Sequence, residues 1–203
     1  MEWDYFLSIE EDFIRTIPYV EPCEKNFDAH SIKYAKILLA AASEADAVLK
    51  RLCRVIADQD VKGERCYRDT LIKECNVPLQ AVTVGAFRYG MSAIPWDSYN
   101  PSNPRTPDWW SAYNKVKHRL DEGYEEATLK NAFHSICGLF VALLFLYRAE
   151  GYKHLSPAPE LLTIESGFWT KRTRLLGADE PALLIIDNLP EERKACFKDA
   201  ACD

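Results

Sequence analysis

Trp110, Asn114, Lys117, His118 and Asp121 are the residues of this 203-residue chain whose types and spacing could do chemistry. On a helix turning about 100° per residue they share one flank, beside an apolar stripe of Trp109, Tyr113, Val116 and Leu120. An imidazole exchanges protons near neutral pH, an ammonium opposes developing negative charge, and an amide positions a reacting group. A solvated helix flank has the same composition. Only an opposing element would turn it into a site.

A second helix offers that element. Leu129, Phe133, Ile136, Phe140, Leu143 and Tyr147 recur at three and four residues as a buried stripe, with Asn131, His134 and Gly138 nearly opposite. Val141, Ala142 and Phe145 make the later turns apolar all round, so this helix is expected to be central. Asn131 and His134 would then be partly enclosed and in need of partners. His134 reads either as a supporting site residue or as a satisfied interior histidine.

Other chemistries lack their patterns. The four histidines show no HExxH or other ligand spacing, so no metal is expected; GxxxxGK[ST], GxGxxG and GxSxG motifs are also missing. Seven cysteines form an odd set without a CxxC pair, which disfavours a disulfide framework and fits a reducing cytoplasm. A net charge of −6 argues against a generally basic nucleic-acid binder, although a local basic patch stays open. Lys171, Arg172 and Arg174, beside Phe168 and Trp169, could meet phosphates or could blunt an exposed edge strand. The acidic N-terminus does not resemble a secretory signal. The apolar run Ile136 to Tyr147 is short for a membrane span and reads as buried core.

The elements that must position the flank follow from periodicity. Apolar spacing from Asp28 to about Asp58 predicts one long amphipathic helix capped by Asp28 or Ser31, preceded by a short helix near Ser8 to Thr16. A third helix follows Gly63 and stops near Pro78. Residues 78–107, rich in proline, are expected to be a long ordered loop with one helical turn around Gln80 to Phe87. Thr106-Pro107-Asp108 starts the helix of the candidate flank, read through to Gly123. Its mate runs from about Glu125 to Glu150 and ends at Gly151. Beyond residue 155, short β-leaning runs predict a small hairpin or sheet, with a loose end after Pro190. The fold class expected is mainly α: an up-and-down helical bundle over residues 1–155 with a small C-terminal β appendage and tail over 156–203.

The block Trp109-Trp110, Tyr113-Asn114, Lys117-His118, together with SIKYAKILLAAASEADAVLKRLC and EATLKNAFHSICGLFVALLFL, resembles the HEPN superfamily (higher eukaryotes and prokaryotes nucleotide-binding domain) over residues 5–150. The resemblance implies an up-and-down bundle, a homodimer and a role in prokaryotic antiviral defence or toxin–antitoxin systems, where many members are metal-independent ribonucleases. It implies no cofactor. Catalytic members carry an arginine a few residues before the histidine. Here Asn114 stands near that place, Arg105 is too far upstream, and the cations beside His118 are Lys117 and Arg119. Lysine does not grip phosphate with the planar fork of arginine.

The resemblance supports two expectations. As a ribonuclease acting on RNA, His118 would exchange protons with the ribose 2′-hydroxyl or the leaving oxygen. Lys117 or Arg119 would oppose phosphorane charge, Asn114 would orient the phosphate, and Glu44 would orient His118 or pair with Lys117. The site would be completed across a dimer interface. As a non-catalytic module, an antitoxin, adaptor or nucleotide-sensing partner of a protein from the same operon, the YN-KH residues would instead hold the loop from Pro95 to Pro107.

Overall fold

Ser31 begins the longest helix, because its Oγ accepts the Tyr34 N–H at 3.1 Å and satisfies a donor that the first turn leaves free. This is α2 (Ile32–Ala57), which ends where Asp58 takes the left-handed conformation at φ 51°. The computed structural model describes residues 1–74, 77–152, 154–165, 170–174 and 181–185. Before α2 lies α1 (Glu2–Ile14), and after it α3 (Glu64–Asp69), which passes into a π-helical turn over Thr70–Glu74. Then come α4 (Asp108–His118), α5 (Leu120–Gly123) and α6 (Leu129–Ala149). The strands are β1 (Thr83–Ala86), β2 (Met91–Ala93), β3 (His154–Leu155), β4 (Thr163–Glu165), β5 (Thr170–Arg174) and β6 (Pro181–Ile185). The protein is mainly helical with small sheets.

The centre is the face between α2 and α6, the most extensive contact between any two elements. Ala41, Ala42 and Ala45 on α2 carry side chains small enough for close approach, and Phe133, Phe140 and Phe145 on α6 are fully enclosed. By length and composition α6 could cross a membrane, yet 89% of its apolar window is buried inside the protein, which places it as the expected core helix. Both α1 and α4 pack on α2 and α6. Trp3, Phe6, Ile9 and Phe13 form the buried stripe of α1, so this helix begins well before the expected Ser8. Glu10 sits on the same buried face, and a polar residue there hides the stripe from a periodicity reading.

Residues 78–107 are not the loop that the sequence suggests. They contain β1 and β2, paired antiparallel through Val84↔Ala93, and β1 also pairs with β4 through Val84↔Ile164. Where a helical turn was expected over Gln80 to Phe87, residues 79–81 form one 3₁₀ turn and β1 follows. The partner strand lies far along the chain, so no local pattern announces it. The segment after residue 155 is likewise tied to the helical body. The Trp3 indole N–H donates to the Pro157 carbonyl, and the Glu10 carboxylate accepts the N–H groups of Glu160, Leu161 and Leu162. The expected C-terminal hairpin is β5 with β6, in a sheet ordered β3-β6-β5 that leaves β5 at an edge. The tail after Pro190 lies outside the described residues.

Two tryptophans lock the stretch from Pro95 to Pro107 between α4 and α6. The Trp96 indole donates to the Gly138 carbonyl at 3.0 Å, and the Trp109 indole donates to the Pro95 carbonyl at 2.8 Å. The YN-KH residues take no part in these two bonds. Trp109 is 2% exposed and Trp110 4%, with Tyr113 and Val116 buried beside them, while the Leu120 side chain lies outside the description. The described part of the expected stripe, Trp109, Tyr113 and Val116, is therefore buried, and Trp109 meets Gly138 of α6, where a Cβ would come within 2.6 Å of its ring. The adjacent tryptophans and the apolar face of α6 are hidden within one chain, so neither leaves apolar surface for a second copy to cover.

Candidate functional site

Because α4 is anchored by its buried tryptophans, the directions of its exposed side chains are fixed. Lys117 and His118 are consecutive, so they point about 100° apart around the axis, and the structure assigns them to different hollows. Asn114 and Lys117 open into a cleft of about 290 Å³ whose floor includes Trp110 and Tyr113. His118 lines a smaller hollow of about 200 Å³ with Lys115, Arg119 and Gly123. The expected single flank is thus divided. Asp121 leaves it altogether: Arg119, with φ −148° and ψ 77°, ends α4, and α5 starts in a new direction. The break brings Gly123 against the Lys115 backbone, where a Cβ would lie 2.8 Å from the carbonyl.

The opposite wall of the larger cleft comes from α2 and from the start of α3, through Asp46, Gly63 and Glu64, with Thr106 at its rim. Glu64 is not a free carboxylate. Arg68, one turn later on α3, donates to its oxygens at 3.0 and 3.3 Å, and the Thr106 hydroxyl donates to it at 2.8 Å. Side-chain exposures of 8% for Glu64 and 11% for Arg68 make this a buried ion pair, and the Arg68 Nε has no hydrogen-bond partner. Burial, with Glu64 beside it, also pushes the Tyr99 phenol well above its usual pKa. Lys117 lies 5.2 Å from the Tyr113 ring centre, and the Tyr113 hydroxyl, with help from Asp46, holds its ammonium above the ordinary range.

Glu44 does not face His118 or Lys117. It is half-buried on another side of α2, where burial and the charge of Glu2 push its carboxyl up. Asp46, two residues on, is the acid that meets the cleft, with the Tyr67 hydroxyl against it. Asn131 is a helix-start residue: its N–H donates to the Thr128 hydroxyl and its side chain donates to the Glu126 carbonyl, both local bonds. His134 packs edge-on against Phe27 and Phe133 and lines neither hollow. Among the described residues, no group of three His, Cys, Asp or Glu comes together as a metal site.

Burial first, and then Lys130, push the His134 pKa down from 6.5 to about 4, with Asp97 and Asp108 opposing. The unfolded chain therefore takes up this proton before the folded one. The His134 contribution to stability is complete above pH 6.5 and is lost as pH falls toward 4, by about 3 kcal/mol in all. Urea melts should show the difference between wild type and His134→Gln shrinking by about 2 kcal/mol between roughly pH 7.5 and pH 5. A difference unchanged with pH would mean that the imidazole is solvated.

Sequence reasoning missed Asp46, Glu64, Arg68 and Thr106. The i,i+4 spacing of Glu64 and Arg68 was a legible signal for an ion pair, but nothing local says that Thr106 and Tyr99 cover it. Compared with known protein families, with curated proteins and with solved structures, the chain matches none.

Proposed function

We propose that the chain is a HEPN-like helical bundle acting as a non-catalytic interaction module of prokaryotic defence or toxin–antitoxin type. One observation carries this reading: the groups that a phosphodiester cleavage would need together are divided between two hollows. Asn114 and Lys117 share theirs with Asp46, whose charge disfavours a phosphate there, and His118 lines the other hollow. Such a module would work in the cytoplasm beside a partner protein of its own operon.

The ribonuclease reading keeps one specific observation. Lys115, His118 and Arg119 border a single hollow, and two cations beside an imidazole suit an RNA phosphate. Lys115 is engaged by Glu126, which weakens that claim. In this reading the homodimer implied by the resemblance would bring a second copy of the hollow alongside.

Incubating purified protein with RNA in EDTA separates the two. The module reading expects no cleavage. Cleavage that falls by about 10²-fold or more in both His118→Ala and Arg119→Ala would establish the nuclease instead. His118 is exposed, so its substitution should leave stability within about 0.5 kcal/mol, and lost activity could not be blamed on unfolding.

A further inference from the structure

We propose that the cleft between α2, α3 and α4 binds a small zwitterion, an α-amino acid in chemical class, through Asp46 and Lys117. This inference is independent of whether the chain cleaves RNA.

The charges lining the cleft decide what it can take. Glu64 is neutralised by Arg68 and satisfied further by Thr106, which leaves Asp46, against which the Tyr67 hydroxyl lies, as the lining carboxylate without an ion pair among the described residues. Lys117 supplies the lining ammonium. Asp46 and Lys117 influence each other electrostatically, yet no ion pair within 4 Å closes between them. The cleft therefore offers one anion and one cation held apart. A phosphate or simple carboxylate would meet Lys117 but also Asp46, and a bare cation would meet the reverse. A ligand carrying both signs on a short skeleton gains from each and is repelled by neither.

Size and polarity agree. About 290 Å³ is at the small end for ligand sites, large enough for an amino acid and confining for a larger molecule. Asn114 and Thr106 supply uncharged polar groups that can orient the ligand's side chain in a cleft also lined by Trp110 and by Tyr113, over whose ring the Lys117 ammonium sits. Trp110 packs on Trp96 and Trp109, and Tyr113 packs edge-on against Trp110, so this side of the cleft is formed before any ligand arrives.

Thermal melts of the full chain test this, with glycine, L-glutamine and L-lysine as probes at about 20 mM and constant ionic strength. Methylammonium and acetate carry one charge each and serve as half-ligands, and AMP tests a nucleotide. At least one amino acid should raise Tm by about 3 °C or more, with neither half-ligand nor AMP doing so. Asp46→Asn and Lys117→Met should each abolish the shift. The half-ligand comparison is made on wild type, so it decides the matter even if a variant folds poorly. No shift from any amino acid, an equal shift from acetate or methylammonium, stabilisation by AMP alone, or a shift surviving both substitutions would overturn the proposal.

Discussion

Trp109→Ala should lower the unfolding free energy by about 3–5 kcal/mol, the usual range for removing a buried aromatic ring. The high end is expected because three separate losses coincide. The indole is 2% exposed and stands edge-on to Trp96 at 5.1 Å, with Trp110 at 5.4 Å, so its removal leaves a hole among rigid rings that cannot collapse to fill it. Its N–H also satisfies the Pro95 carbonyl, which would be stranded in the core. The third loss is the contact with Gly138, the glycine of α6 on which the ring lies. Gly138→Ala tests that contact from the other side. Alanine is ordinarily better in a helix by about 1 kcal/mol, but here its Cβ would sit 2.6 Å from the Trp109 ring, so the substitution should destabilise. The double variant should then be more stable than the sum of the two singles implies, because the methyl enters the space the indole vacates. Urea melts of the four proteins check this. A loss under about 1.5 kcal/mol in Trp109→Ala would mean that the ring is not held as described.

The parts of this fold that were legible in the sequence are those whose cause is local. Ser31 and the apolar spacing of α2 are contained within that helix, and the structure returns the helix within a few residues of the expected bounds. The start at Pro107 and the buried stripe of α4 follow for the same reason. Long-range causes were not legible. β1 exists because β4 comes to pair with it, and α1 begins at Glu2 although a buried carboxylate interrupts its stripe. For the site, helical spacing puts Trp110, Asn114, Lys117, His118 and Asp121 on one flank, whereas the cleft takes in only the first three. The missing information was the wall opposite. Glu44 and Asp46 are both acids on α2, separated by about 200° around its axis, and only the position of α3 and α4 decides which one meets the cleft.

Glu10 is the second position where one substitution should have a large effect. Its carboxylate is 3% exposed and accepts the backbone N–H groups of Glu160, Leu161 and Leu162 at 2.9, 3.0 and 2.8 Å. Those bonds fasten the chain to α1 immediately before β4, so Glu10 determines whether β4 can reach β1. Burial is the larger influence on the acid and pushes its pKa up, with the three N–H donors opposing. The charge is thus held at some cost, but removing it strands donors that folding has already taken from water. Glu10→Ala should cost about 2–4 kcal/mol, below three full orphan penalties because two of the bonds are only partly buried and water can replace them. Glu10→Gln should cost about half as much: its oxygen keeps one or two acceptors and its neutrality relieves the buried charge, while its amide meets an N–H donor to donor. The loss should also be local before it is global. Amide exchange at Val84 and Ile164, paired across β1 and β4, should accelerate in Glu10→Ala more than exchange at Leu143 in the centre of α6. Uniform acceleration across all three would show that Glu10 supports the whole core rather than this attachment.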